Sequence, residues 1–459
     1  MNGIIKNEIY TVKIEELGTR GEGIGKIDGF TAFVDGAVPG DEVKAKIDMV
    51  KKDYAMGKIV KLVTPSKNRI EPVCSITRVC GGCQTQNMEY SAQLELKTRI
   101  VKDDIERIGK LENVMIHDTV GMDNPYNYRN KAQFPVGCID GKTLIGFYKK
   151  KTHTIVDADL CNIQHPINEK IIKVMRQFIN ENSISVYDEK SGKGLIRHIL
   201  TKVAFATDQI MVVIITNGKE ILYKNKMVNM LKENIPGITS IVQNMNTKKG
   251  NRILGVENKT LYGQDFIVDT IGDLQFKISP LSFFQVNPVQ TKVLYEKALE
   301  YAGLTGDEIV YDIYCGIGTI SLFLAQKAKK VYGIEIVDAA IEDAKENAKI
   351  NDIDNAEFFS GAAEEVVPKL YEKGIKADVV VVDPPRKGCD EVVLDTIVKM
   401  NPKRVVYVSC NPATLARDLK YLDERGYKAE EVQPVDMFPH TMHVECVVLM
   451  TKCGFKGEK

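Results

Sequence analysis

Ile309-Val-Tyr-Asp-Ile-Tyr-Cys-Gly-Ile-Gly-Thr319 decides how the C-terminal third of this chain folds. Ile309 to Asp312 is a short apolar run of the kind a buried parallel strand shows. It breaks into a turn, Tyr314 to Thr319, where Gly316 and Gly318 let the backbone approach a ligand without Cβ interference. Ile320 to Ala328 reads as a helix and Lys330 to Ile334 as the next strand. That strand ends on Glu335, a carboxylate able to grip both hydroxyls of a ribose. Strand, glycine turn, helix, strand, acidic end is the order expected of an adenosine-binding α/β fold.

Downstream, Ala377 to Val382 is a further buried strand, running into Asp383-Pro-Pro-Arg-Lys-Gly388. Methylases that act on amino nitrogens carry an Asp-Pro-Pro loop here, followed by an aromatic residue; Arg386 stands in that place. Val405 to Val408 is the next apolar strand, stopped by Ser409-Cys-Asn-Pro412. Cys410 therefore sits at a carboxyl edge, next to the N-terminus of a helix that begins near Thr414. A thiol so placed is a candidate nucleophile, and the plain alternative is a core cysteine. The last strand, His443 to Met450, contains Glu445 near its start. There a carboxylate is either a surface cap or a buried base with a raised pKa. The full GxGxxG fingerprint and a GK[ST] phosphate loop are missing, and the later motifs belong to methyl transfer. S-adenosylmethionine is thus favoured over a dinucleotide.

Over all 459 residues the composition is that of a soluble protein, 44% hydrophobic and 27% charged. No apolar run approaches a membrane span and no signal-like leader opens the chain, so a cytoplasmic protein is expected. Formal net charge is zero, so any nucleic acid must be held by local patches. Residues Ile9 to Leu62 alternate short β-rich runs (Thr11–Ile14, Thr31–Val34, Glu42–Ile47, Gly57–Leu62) with glycine turns, the pattern of a small OB-like barrel. Lys44 to Arg69 is strongly basic. The pattern resembles a TRAM domain, a small RNA-binding barrel. Ten cysteines without a secretory signal point to metal binding or catalysis. Cys74, Cys80 and Cys83 lie close together, the last two at C-x2-C spacing across Gly81-Gly82. Cys161 is the best fourth ligand. Four thiolates suit structural zinc or an iron–sulfur cluster, and spacing alone does not choose. Between them, Glu89 to Ile108 reads as an amphipathic helix. Tyr126-Asn-Tyr-Arg-Asn-Lys131 and Lys149 to Lys151 mix aromatics with cations, as single-stranded RNA binding does.

Together these motifs, with His440-Thr-Met-His-Val-Glu445, resemble the RNA 5-methyluridine methyltransferase family. With the barrel and the cysteine set, the chain is similar to the bacterial 23S ribosomal RNA branch over nearly its whole length. Ser282-Phe-Phe-Gln-Val-Asn287 matches the family's Phe-Gln segment. The resemblance implies Cys410 as nucleophile, Glu445 as base, and Gln285, Tyr314, Glu335 and Asp383 at the S-adenosylmethionine. It implies a [4Fe–4S] cluster on Cys74, Cys80, Cys83 and Cys161. It also implies three domains: a TRAM barrel over 1–69, a mixed α+β domain with the cysteines over 70–270, and a Rossmann-like methyltransferase over 271–459. The transfer-RNA branch lacks barrel and cluster, which favours 23S ribosomal RNA as partner.

Carbon 5 of uracil is too weak a nucleophile to take a methyl group directly. Addition of a thiolate at carbon 6 places charge on carbon 5; afterwards a base must remove its proton so that the thiol can leave. Arg129 or Gln285 is expected to donate to the enolate oxygen. Three other readings compete. They are a transfer-RNA enzyme of the same class, an RNA-folding factor with incidental activity, and a DNA cytosine-5 methylase. The last normally has Pro-Cys where this chain has Ser409-Cys410.

Overall fold

A computed structural model describes residues 3–454. The N-terminal strands β1 (Ile9–Leu17), β2 (Gly23–Ile27), β3 (Phe30–Asp35), β4 (Glu42–Val50) and β5 (Tyr54–Thr64) close into a barrel of order β1-β2-β3-β5-β4. Alternate residues, among them Val12, Ile14, Val34, Val43 and Ile47, fill it. Strand β2 lies in a glycine-rich run that reads as turns in the sequence. Its glycines are strand residues because a Cβ at Gly23 would strike Ala37 and Ile14, and one at Gly25 the backbone of Lys13. Close strand packing, not turning, requires them.

Helix α1 (Tyr90–Asp104) runs on into one π-helical turn over Ile105–Gly109 and is followed by the short strand β6 (Met115–Ile116). Val101, Ile105 and Leu111 pack with Tyr407, Leu415 and Leu419. The chain thus reaches the C-terminal sheet before it builds the central one. The central sheet holds β7 (Lys131–Ile139), β8 (Lys142–Tyr148), β9 (Ile155–Asp157), β10 (Ile196–Val203), β11 (Ile210–Thr216), β12 (Ile238–Met245) and β13 (Glu257–Gly263). Its order is β13-β12-β11-β10-β7-β8-β9. Helices α2 (Ile167–Glu181) and α3 (Lys224–Asn234) cover one face. On the other face Leu200, Met211 and Val213 join the core of the C-terminal unit, so every residue of β10 and β11 is buried. The continuous apolar runs there follow from that double burial.

A hairpin, β14 (Ile267–Ile271) with β15 (Leu274–Ile278), leads to α4 (Pro288–Ala302). The last unit alternates β16 (Ile309–Ile313), α5 (Thr319–Ala325), β17 (Lys330–Glu335), α6 (Asp338–Ile350), β18 (Ala356–Ser360), α7 (Ala363–Glu372), β19 (Val379–Val382), α8 (Glu391–Met400), β20 (Arg404–Ser409), α9 (Pro412–Asp423), β21 (Tyr427–Val435) and β22 (Glu445–Lys452). The sheet order is β18-β17-β16-β19-β20-β22-β21-β6, parallel except for β22. From β16 the chain winds first to one side and then to the other. That reversal opens a crevice at the carboxyl ends of β16 and β19, where open α/β sheets bind ligands. No helix among the described residues is long and apolar enough to cross a membrane.

Candidate active site and cysteine cavity

At the reversal lies a cavity of about 620 Å³, within the usual range for small-molecule sites. The carboxyl ends of four neighbouring strands supply its wall: Tyr314 after β16, Glu335 ending β17, Asp383 after β19 and Cys410 after β20. Gln285 enters from the segment before α4, and Glu445 from the start of β22. All six side chains named on sequence grounds therefore meet in one cavity, with Gly316. Gly318, also expected there, does not line the cavity: it caps α5 with φ 80°, and a Cβ on it would press on Ala344 and Phe358.

The glycine turn is built as a cradle. Tyr314 and Gly316 both have left-handed φ, 71° and 56°, and a Cβ added at Gly316 would point into open space. Glu335 accepts from the Gly316 amide at 3.2 Å and the Val337 amide at 2.9 Å, which fixes its carboxylate at the rim. A tyrosine in the left-handed region costs about 1–3 kcal/mol, a form of strain that clusters at ligand sites.

The reactive corner follows from strand register. Ser409 pairs with Cys446 across the antiparallel β20–β22 ladder. That is the last pair of the ladder; Cys410 and Glu445 lie one residue beyond it, and both line the cavity. Glu445 is 4% exposed, so it is a buried carboxyl and not a surface cap. Burial, reinforced by Asp383, raises its pKa well above the usual carboxylate range, and burial raises Asp383 as well. The Cys410 thiol is pushed up to about 11, first by burial and then by Glu445 and Asp383; Arg386 acts in the opposite direction. Burial thus favours the protonated thiol and raises the proton affinity of both carboxyls beside it.

Arg386 is thus the cation that favours the thiolate. Alkylation of Cys410 by iodoacetamide rises with pH as the thiolate forms. Removing a cation that favours the thiolate raises the pKa, so Arg386→Gln should move the midpoint upward and slow alkylation several-fold at pH 9. Peptide mass spectrometry resolves Cys410 from the other cysteines. An unchanged midpoint would remove Arg386 from the environment of the thiol.

Two expectations change. Arg129 lines the cysteine cavity described below and not this one, though its charge reaches His443, so Gln285 is the better placed of the two expected donors. Gln285 remains available, and Arg386 and His443 join it. The last strand starts at Glu445, two residues later than the expected His443, and His443 and Phe438 belong to the irregular segment 436–444 ahead of it. Pro439 lacks an N–H and His440 has φ 68°, which keeps that segment out of the ladder. Two aromatic side chains on either side of a proline, just ahead of a buried carboxylate, were the available signal.

Cys74, Cys80, Cys83 and Cys161 line a second cavity, of about 360 Å³, together with Arg129, Lys131 and Val286. The Cys83 thiol is pushed up to about 12 by burial and by proximity to Cys161, Cys80 and Cys74. Burial and the other thiols also push Cys161 up to about 11, against hydrogen bonds from the Ile163 and Gln164 amides. Among the described residues, no three His, Cys, Asp or Glu side chains are arranged to hold a metal ion.

Comparison with known proteins accords with this geometry. The family described as tRNA (Uracil-5-)-methyltransferase matches residues 89–453, and the TRAM domain matches residues 6–60. An uncharacterized RNA methyltransferase of Clostridium tetani is 54% identical over 451 residues, covering 98% of each chain. One from Caldanaerobacter subterraneus subsp. tengcongensis is 53% identical over 452 residues, 98% of this chain and 100% of that one. The crystal structure of Pyrococcus abyssi tRNA (uracil-54, C5)-methyltransferase in complex with S-adenosyl-L-homocysteine is similar at a TM-score of 0.78. It is 30% identical and covers 96% of this chain and 100% of its own. Matches of this extent, with the TRAM barrel in front, mean that the chain belongs to the tRNA (Uracil-5-)-methyltransferase family and is an RNA methyltransferase of the uracil-5 class.

Proposed function

We propose that this enzyme methylates carbon 5 of uridine in 23S ribosomal RNA, with S-adenosylmethionine as methyl donor and Cys410 as transient covalent nucleophile. The observation that carries the chemistry is that Cys410 and the buried Glu445, each next to the last pair of the β20–β22 ladder, line one cavity with Asp383 and Gln285. The glycine cradle and the Glu335 carboxylate fit an adenosine group, for the open space over Gly316 is what a ligand would fill. When bound, the cofactor supplies an electrophilic methyl group. Cys410 adds to carbon 6 of a uracil unstacked into the cavity, and carbon 5 becomes the nucleophile. Two carboxyls at one sulfur can hold the thiol's proton on one while the other, Glu445, takes the proton from methylated carbon 5. Elimination then releases Cys410. Gln285 or Arg386 can donate to the oxygen that carries the enolate charge.

The four cysteines are proposed to hold a [4Fe–4S] cluster. What supports this is that all four side chains line one cavity, with thiol chemistry that suits iron–sulfur ligation. Cys74, Cys80, Cys83 and Cys161 would hold the cluster, and it would link the loops that carry Cys83 and Cys161. Anaerobically purified protein should be brown with about four irons per chain; one zinc and no iron would replace this reading.

A second reading, transfer RNA as target, has a specific observation behind it. The Pyrococcus abyssi relative is named for a transfer-RNA uracil, and its match spans too much of this chain to omit the barrel. A barrel is therefore compatible with either RNA. Mass mapping of methylated uridines in a deletion strain tests both. Loss from 23S ribosomal RNA alone supports the proposal; loss from transfer RNA alone supports the second reading.

A further inference from the structure

The two cavities share their walls. The segment Phe284-Gln285-Val286 stands between them: Phe284 and Gln285 line the reaction cavity and Val286 lines the cysteine cavity. Asn130 fixes this segment, its Nδ2 donating to the Gln285 carbonyl at 2.9 Å and its amide to the Val286 carbonyl at 2.9 Å. Its neighbour Arg129 is bridged to the loop after Cys161: the Arg129 amide donates to Ile163 O, and the His165 amide to Arg129 O. From the Cys161 loop to Gln285 there is therefore a run of hydrogen bonds through the backbone of Arg129 and Asn130, with the Asn130 side chain as the last link.

The opposite wall is held from Cys83. The next two amides, of Gln84 and Thr85, both donate to the carbonyl of His440, at 2.9 and 3.1 Å. His440 is 1% exposed, and Gln93 of α1 accepts from its amide at 3.0 Å. Tyr126 stacks on its ring at 4.5 Å, and the Tyr128 hydroxyl donates to Pro439 O. Lys97 completes the support with a fully buried ion pair to Asp436 at 2.5 Å and a bond to Phe438 O. Every one of these partners comes from residues 84–128. The segment they hold carries Phe438 and His443 into the reaction cavity and enters β22 at Glu445.

We infer that the four-cysteine module holds the two walls of the reaction cavity in register, with Asn130 and Gln93 as its positioning residues. Cys83 governs the wall that leads to Glu445, and Cys161 the wall that carries Gln285. A group bound by both loops ties the walls together. The inference rests on the proposed cluster for the tie between the loops and on the proposed chemistry for what the walls do; the hydrogen bonds of Asn130 and Gln93 stand apart from both.

Hydrogen exchange on the full-length protein tests it. Cys80→Ser should speed exchange in both 282–288 and 436–445, about tenfold or more, with the barrel strands unchanged. Asn130→Ala should speed only the first segment, and Gln93→Leu only the second. Kinetically, Asn130→Ala should raise the apparent KM for S-adenosylmethionine about tenfold, the worth of one lost buried hydrogen bond, at nearly constant kcat. Gln93→Leu should lower kcat at constant KM. Faster exchange in Cys80→Ser confined to 74–86 would overturn the inference. If Cys80→Ser loses its fold, Asn130→Ala and Gln93→Leu decide: selective effects uphold it, and absent or chain-wide effects overturn it. Failure of the wild type to form a covalent complex with 5-fluorouridine RNA would indict the chemistry, while the exchange pattern would still judge the coupling.

Discussion

Cys410→Ala is expected to lose turnover by at least about 10⁴-fold while still binding cofactor and RNA. Without the sulfur at carbon 6, carbon 5 of uracil has too little electron density to displace the sulfide, and no other group in the cavity replaces it. Cys315, the other thiol lining the cavity, is 5% exposed, and burial keeps it protonated far above neutral pH. The check is incorporation of labelled methyl into target RNA, with binding of S-adenosylhomocysteine measured alongside. Activity within tenfold of wild type would remove Cys410 from the reaction.

Glu445→Gln should behave differently, because proton removal follows both attack and methyl transfer. The amide keeps the shape of the carboxyl and removes the base. The variant should attack, methylate and then stall, so that a covalent methylated RNA complex builds up on natural uridine. Turnover should fall by roughly 10²–10⁴-fold, the usual cost of losing a general base. Asp383→Asn is the contrast: its carboxyl lies on the same cavity but follows β19, the strand next to the one that leads into the glycine cradle. It should raise the cofactor requirement and give little covalent complex. A denaturing gel after incubation with labelled cofactor reads both. Labelled complex from Asp383→Asn and none from Glu445→Gln would exchange their roles.

The strand-end residues were legible because a parallel α/β unit presents its ligands at carboxyl edges, and edges are visible wherever an apolar run stops. Tyr314, Glu335, Asp383 and Cys410 each follow such a run. Glu445 was half legible. The sequence showed a carboxylate near a strand start, and only its burial decides between a surface cap and a buried carboxyl. Arg129 misled for the reason Glu445 did not. It lies in no long periodic element, and its surroundings are set by a bridge to Gln164 far along the chain. Strand β2 was hidden because glycine serves both turning and close packing. The shared walls of the two cavities were out of reach of pattern reading altogether. They depend on hydrogen bonds such as Gln84 to His440, between residues hundreds of positions apart.

The central claim is that Cys410 bonds to carbon 6 while a methyl group goes to carbon 5. Fluorine at carbon 5 leaves no proton for Glu445 to remove, so the reaction must stop after methyl transfer. Wild-type protein should be incubated with S-adenosylmethionine and target RNA carrying 5-fluorouridine, then digested and analysed by mass spectrometry. The account predicts that the peptide containing Cys410 carries a nucleotide heavier by both the fluorine and one methyl group. A covalent nucleotide on any other residue, or one on Cys410 that lacks the methyl group, would contradict it.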